Sequence, residues 1–394
     1  MGNLWSENTP RNFWRCQPEL SAEVWTEAVS KALPILGFPD EVSDIDSALF
    51  YTLGEGQFGP DPWSLSRTKT IYYTLKPILP RRVINVLKNL NSRSVIDSFE
   101  LGWPVERRYT QFQWETMRQI LRITKESSLT FNNFWPDNKC FAFVLTHDIE
   151  TSAGQDLVRE IAGLEEDLGF RSLFNFVPER YKVDRNLMLE LRERGFEIGV
   201  HGLKHDGKLF HSKQEFMKRA ELINGYLKDF QAVGFRAPMM HRNPQWLQEL
   251  NVDYDLSFFD TDPYEPIPGG VMSIWPFIIG HFIELPYTLF QDSTLVSVLG
   301  ELTPQLWLDK VEYIEKFSGM ALLNTHPDYL VQPTLKSIYK EFLVEMEQKA
   351  NYWHALPLDV ASWWRSRHNG DGVADRKQVD SGKVRLNESA IEIV

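Results

Sequence analysis

The sequence predicts an α/β protein built on a closed parallel barrel of seven or eight strands, preceded by a mostly helical N-terminal extension. Three observations carry this expectation. From residue 141 onward, short apolar runs of strand character alternate with helical stripes. Residues 1–135 instead show helical patterns separated by irregular Gly- and Pro-rich sequence. Finally, Asp148, His201, Arg236 and His326 each follow a predicted strand at its C-terminal end, the face on which barrel enzymes assemble their sites. The alternation alone also fits a doubly wound sheet; the shared face favours the barrel.

In the extension, helical patterns fall at Ser21–Leu33, Pro80–Leu90 and Thr110–Ile123. The Pro80–Leu90 stretch is basic and amphipathic, and docking on the barrel is its expected role. Gly54-Glu-Gly56-Gln-Phe-Gly59 formally matches a dinucleotide-binding fingerprint, but Pro60-Asp-Pro62 stands where a phosphate-binding helix would open, so the match is discounted.

The barrel is expected over residues 136–365. Phe141–Leu145 opens it and is followed by the stripe Leu157, Ile161, Leu164, Leu168, stopped at Gly169. Ser172–Val177 is the next strand. Asp184 caps a helix carrying Leu187 and Leu191, and Phe196–Val200 follows. Ser212-Lys-Gln-Glu215 forms a capping box before the stripe Phe216, Ala220, Ile223, Leu227. Val233–Phe235 is a short strand, and Asn243-Pro244 starts the next helix. Tyr254–Phe258, Ser273–Ile279 and Phe282–Leu285 are further strand candidates. A helix from Thr303-Pro304 to near Gly319 leads into the apolar run Met320–Asn324. A helix near Pro333–Asn351, a strand near Trp353–Leu358 and a helix at Asp359–Arg367 complete the series. Residues 366–394 are polar and aperiodic and are expected to form a partly extended tail.

Composition narrows the function classes. The chain has 394 residues, 43% of them hydrophobic, enough for a substantial core. Its 42 Lys and Arg against 54 Asp and Glu give a net charge of −12, which disfavours nucleic acid and anionic membranes as partners. The two cysteines, Cys16 and Cys140, are too few for a disulfide framework and are expected reduced and buried. No signal-peptide pattern is visible, and no apolar stretch approaches the roughly 20 residues that span a bilayer. The expectation is a soluble cytoplasmic protein of undetermined oligomeric state.

The most telling residues are His201 and His205 in Val200-His-Gly-Leu-Lys-His205-Asp. Imidazoles at i and i+4 on one helical turn converge on a point and can share a metal ion, and a carboxylate from another strand end completes three protein ligands with a position open for water. The first strand supplies candidates in Thr146-His-Asp148-Ile-Glu150. His147, His211 and His241 read as structural or substrate-contacting. Of the thirteen tryptophans, Trp135, Trp246 and Trp275 among them, most are expected in the core.

Together, Thr146-His-Asp148-Ile-Glu150, His201-Gly-Leu-Lys-His205, Arg236-Ala-Pro238 and Leu323-Asn-Thr-His326 resemble, in order and spacing, the polysaccharide deacetylase family (NodB homology, carbohydrate esterase type). The resemblance spans residues ~140–330 and implies a distorted (β/α) barrel. It also implies a divalent metal, most commonly Zn2+ with Co2+, Mn2+ or Ni2+ as alternatives. The implied activity is hydrolysis of N- or O-acetyl groups on a saccharide or sugar intermediate. Carried across residue by residue, it makes Asp148 the catalytic base, Glu150, His201 and His205 the metal ligands, Arg236 the group orienting the base and His326 the general acid. The aspartate tuning that acid is expected within Asp255–Asp262, with Asp260 favoured. Leu323 would form the wall for the acetyl methyl, and Pro238, Met239 and His241 are candidates for substrate contact.

Three departures stand out. The family's adjacent Asp-Asp pair is here Asp148-Ile-Glu150, Gly202 stands where a small hydroxyl residue is usual, and Met239 replaces the usual aromatic. Hydrolysis of another non-peptide C–N bond (amide or ureide) on the same platform is the alternative within enzymes. A catalytically silent saccharide-binding barrel is the alternative outside them, with Glu150 the feature that raises it.

Overall fold

The computed structural model describes residues 3–65, 95–370, 380–387 and 390–393. The expected helix Pro80–Leu90 lies outside the described residues, as do 371–379 of the C-terminal segment.

Strand β1 (Cys16–Gln17) pairs antiparallel with β2 (Ser128–Asn132). Between them run the helices Ala22–Ala32 and Arg108–Thr124, which pack on each other. The second buries the stripe Tyr109, Phe112, Thr116, Ile120, the 3–4 spacing that puts side chains on one helical face. Cys16 is buried, Cys140 half-buried, and both are free. Trp14, Phe134, Trp114 and Trp275 stack and edge against one another, joining this extension to the barrel in one continuous core.

The barrel begins with β3 (Phe141–Ile149), buried at every position, as its uninterrupted apolar run requires of a strand covered on both faces. It continues through β4 (Leu173–Phe176), β5 (Glu197–His201), β6 (Gly234–Arg236), β7 (Tyr254–Asp255), β8 (Phe277–Ile279), β9 (Phe282–Glu284), β10 (Met320–Thr325) and β11 (Tyr352–His354). The sheet order is β10-β3-β4-β5-β6-β7-β9-β8, with β11 also on β3. All these pairings are parallel except β8 with β9. Beyond β9 the chain runs on beside Phe259 at Tyr287 and forms a parallel bridge between Leu289 and Leu323 of β10. This contact brings the two ends of the curled sheet together as a distorted (β/α) barrel.

Several elements are shorter than the sequence suggests. The last barrel strand ends at His354 because Pro357 opens the following helix, Pro357–Asn369. The C-terminal segment is more ordered than its polarity implies. Strands β12 (Ser381–Asn387) and β13 (Ala390–Ile393) pair antiparallel with each other, and β12 pairs with β2. Val384 and Ile391 supply the buried positions of this sheet. The discounted glycine fingerprint folds as a 3-10 turn at Gly56–Phe58, with Glu55 paired to the buried Arg242. Among the described residues, no helix is long and apolar enough to cross a membrane.

Candidate metal and catalytic site

The site lies at the C-terminal ends of β3, β5, β6 and β10. Alternation along β3 decides which residues enter it. Thr146 and Asp148 face inward, where Arg236 donates to both, while His147 faces the helices and is held by Glu165 and Thr325 at 2.7 Å each. His147 is thereby a structural residue. His211 is exposed.

Asp148 is 2% exposed and accepts hydrogen bonds on both oxygens. Oδ1 receives Arg236 Nη1 at 3.1 Å and Asn175 Nδ2 at 3.0 Å, and Oδ2 receives Asn324 Nδ2 at 2.9 Å. Burial pushes its carboxyl up, but the Arg236, His201 and His326 charges outweigh burial and hold it well below the usual range. Arg236 is fully buried, its Nε donating to Leu256 O at 3.0 Å and its Nη1 also to Asn324 Oδ1. Asn175 fits because position 199 is glycine, since a Cβ there would lie 2.1 Å from Asn175 Oδ1.

His201, the last residue of β5, faces the Arg236 carbonyl through Nδ1 at 3.1 Å. This fixes its ring as a second partner commonly does for a metal-ligating imidazole. Burial lowers its pKa to about 4, so the ring is neutral near pH 7, the form that ligates. The pair does not share a helical turn as the i,i+4 spacing suggested. His205 instead lies in a loop with φ +52°, reached through Gly202 at φ +61°. A Cβ at Gly202 would lie 2.3 Å from Pro238 Cγ, so the glycine departure follows from this close approach.

Glu150 lies just beyond β3, with Oε1 3.0 Å from His205 Nε2. Burial raises its carboxyl, yet the contact with His205 and the charges of His326 and His201 bring it down to about 2. Glu150, His201 and His205 each present a ligand atom within 4.8 Å of the others. The buried Nε2 of His205 faces Glu150 Oε1 without meeting hydrogen-bond geometry, an arrangement that a shared cation would satisfy. The donor set, two imidazoles and one carboxylate, suits zinc and similar divalent ions.

His326 stands on the other side of Asp148, its Nε2 4.0 Å from Oδ2. Burial would lower its pKa, but Asp292 outweighs this and raises it to about 10. Asp292 is therefore the carboxylate partner, correcting the expectation of Asp260. Asp260 is occupied by Lys310 at 2.8 Å, and Asp255 by Ser257 at 2.8 Å. Leu323 also needs correction as the acetyl wall. It pairs with Leu145 in register, one residue out of phase with the inward Asn324, and so faces the helix layer. Pro238 packs on Gly202, Met239 is half-buried at φ +59°, and His241 is buried with Nε2 unpartnered.

Sequence reasoning missed Asp292, Asn175 and Asn324. The two asparagines carried a readable signal, because an amide inside an apolar strand requires a partner. Trp135 and Trp275 both donate to Ser318 O in the core, and Trp246 stacks on Phe210.

No protein-family model and no curated protein matches the chain. Among solved structures, the chain is similar to a "probable polysaccharide deacetylase" of Pseudomonas aeruginosa PAO1, at 14% identity and TM-score 0.49, over 60% of this chain and 95% of that one. It is also similar to PuuE allantoinase, at 13% identity and TM-score 0.46, over 60% and 93%. A third is the peptidoglycan deacetylase PdaC of Bacillus subtilis, at 12% identity and TM-score 0.36, over 60% and 96%.

Proposed function

We propose that the protein is a metal-dependent hydrolase that removes N- or O-linked acetyl groups from a saccharide. The observation that carries this reading is the convergence of Glu150, His201 and His205 beside Asp148, with His326 on its far side. A divalent ion held by those three residues, Zn2+ or a similar ion, would lower the pKa of a bound water toward about 7 and polarise the scissile carbonyl. Asp148, a carboxylate at working pH, accepts the proton of the attacking water. Arg236, Asn175 and Asn324 fix its orientation by occupying its other lone pairs. His326, kept protonated by Asp292, donates to the departing nitrogen or oxygen. Pro238, Met239 and His241 follow Arg236 and are proposed to contact the sugar.

Elemental analysis of protein purified without chelator, together with acetate release from a panel of acetylated saccharides, tests the reading. We expect one divalent ion per chain and release of acetate from at least one saccharide. A stoichiometry near zero after zinc or cobalt loading would overturn it.

A further inference from the structure

We infer that Asp328 is the positioning residue that makes Glu150 serviceable as a metal ligand and ties it to the strand end bearing His326. This rests on the metal-centre reading above. Glu150 stands past Ile149, the last residue of β3, so the sheet ladder no longer fixes its backbone. Its carboxylate also hangs on a side chain one methylene longer than the aspartate of the family pattern, with one more torsion to control. The backbone N–H of Glu150 is held instead by Asp328, donating to Oδ2 at 2.9 Å. The other oxygen, Oδ1, accepts from the Thr151 hydroxyl.

The surroundings make this contact specific. Thr151 caps the helix Ser152–Asp167 and accepts from Gly154 N–H, and Gly154 lies hard against the Asp328 carboxylate. A Cβ at Gly154 would come 2.3 Å from Asp328 Oδ2, so the glycine admits the close approach. The carboxylate thus sits at a helix N-terminus, where the unsatisfied N–H groups favour negative charge. Asp328 is itself two residues beyond His326, whose backbone N–H is held by Asp292 at 2.8 Å. One short chain of contacts, Asp292 to His326 and Asp328 to Glu150, therefore spans the acid and ligand sides of the site. Groups that orient ligands in this way typically change metal affinity by about 10–100-fold when removed.

The test compares Asp328→Ala, Asp328→Asn and Gly154→Ala with the full-length wild type. Zinc dissociation constants are measured by competition with a chromophoric chelator, and metal-free melting temperatures are recorded alongside. We expect Asp328→Ala to weaken zinc about 10–100-fold. Asp328→Asn, which still accepts one hydrogen bond, should weaken it less. Gly154→Ala, which displaces the carboxylate without altering it, should mimic Asp328→Ala and serves if that variant fails to fold. Variants that melt lower but bind zinc within about twofold of wild type would reduce Asp328 to a helix cap and overturn the inference. A wild type that binds no zinc would instead defeat the metal-centre reading itself.

Discussion

Asp292 grips His326 twice: Oδ1 lies 2.8 Å from the ring Nδ1, and Oδ2 accepts the histidine's own backbone N–H at 2.8 Å. The ring is thereby locked with Nε2 toward Asp148 and its cationic form is favoured. Because the folded pKa is raised to about 10, the acid is charged across neutral pH and is lost only as pH climbs through that value. Asp292→Asn removes the charge, so the alkaline limb of kcat/KM should move down toward the ordinary histidine range near ~6.5. Activity at pH 8 should fall about 30-fold, the protonated fraction that a pKa near ~6.5 leaves. A pH profile with the alkaline limb unmoved would show that His326 is not the acid.

Asp148→Asn and Glu150→Ala should separate base from ligand. Asp148→Asn leaves an amide that does not accept the water proton, so turnover should drop about 10²–10⁴-fold with metal retained. Glu150→Ala should lose metal first. Metal content and single-substrate kinetics on both variants check this, and swapped phenotypes would reverse the two assignments.

Gly202→Ala places a methyl against Pro238 in a left-handed turn. The conformational cost alone is about 1–2 kcal/mol, and the collision adds to it. Lower thermal stability is expected together with weaker metal binding, since this turn sets where His205 stands relative to His201. A variant with unchanged melting and metal affinity would show that the loop relaxes freely.

Glu197 offers a stability prediction away from the site. It is half-buried at the start of β5, accepting from Tyr254 Oη at 2.6 Å and Leu358 N at 3.1 Å, and desolvation of its carboxyl pushes it up to about 7. A carboxyl with a raised folded pKa stabilises fully below the unfolded value, and that contribution is lost as pH rises through the folded one. Glu197→Gln should therefore be more stable than wild type at pH 8, by about 1–3 kcal/mol, and lose the advantage near pH 4. Chemical denaturation at the two pH values measures it.

The barrel was legible because its strands are covered on both faces and read as unbroken apolar runs. Asp148, His201, Arg236 and His326 were findable because each ends such a run, and the structure brings them together. What escaped the sequence depended on register. Leu323 and Asn324 exchange roles on a one-residue shift of phase, which only the pairing of β10 with β3 fixes. Asp292 escaped because its proximity to His326 follows from the Leu289–Leu323 bridge, a contact between segments with no local signature. The C-terminal strands escaped because alternation on a small exposed sheet is weak. Their pairing partner, β2, lies far back in the chain.

That last pairing bears on how the molecule is made. β2 is flanked by β1, available almost at once, and by β12, which follows the whole barrel in the sequence. During synthesis the extension can therefore assemble its helices and one strand pair, yet it keeps an open edge until β12 has left the ribosome. An unpaired edge is a template for unintended strand addition, and closing so long a loop comes late in folding. The C-terminal hairpin accordingly works as a latch, sealing the N-terminal sheet only after the barrel between them has been synthesised.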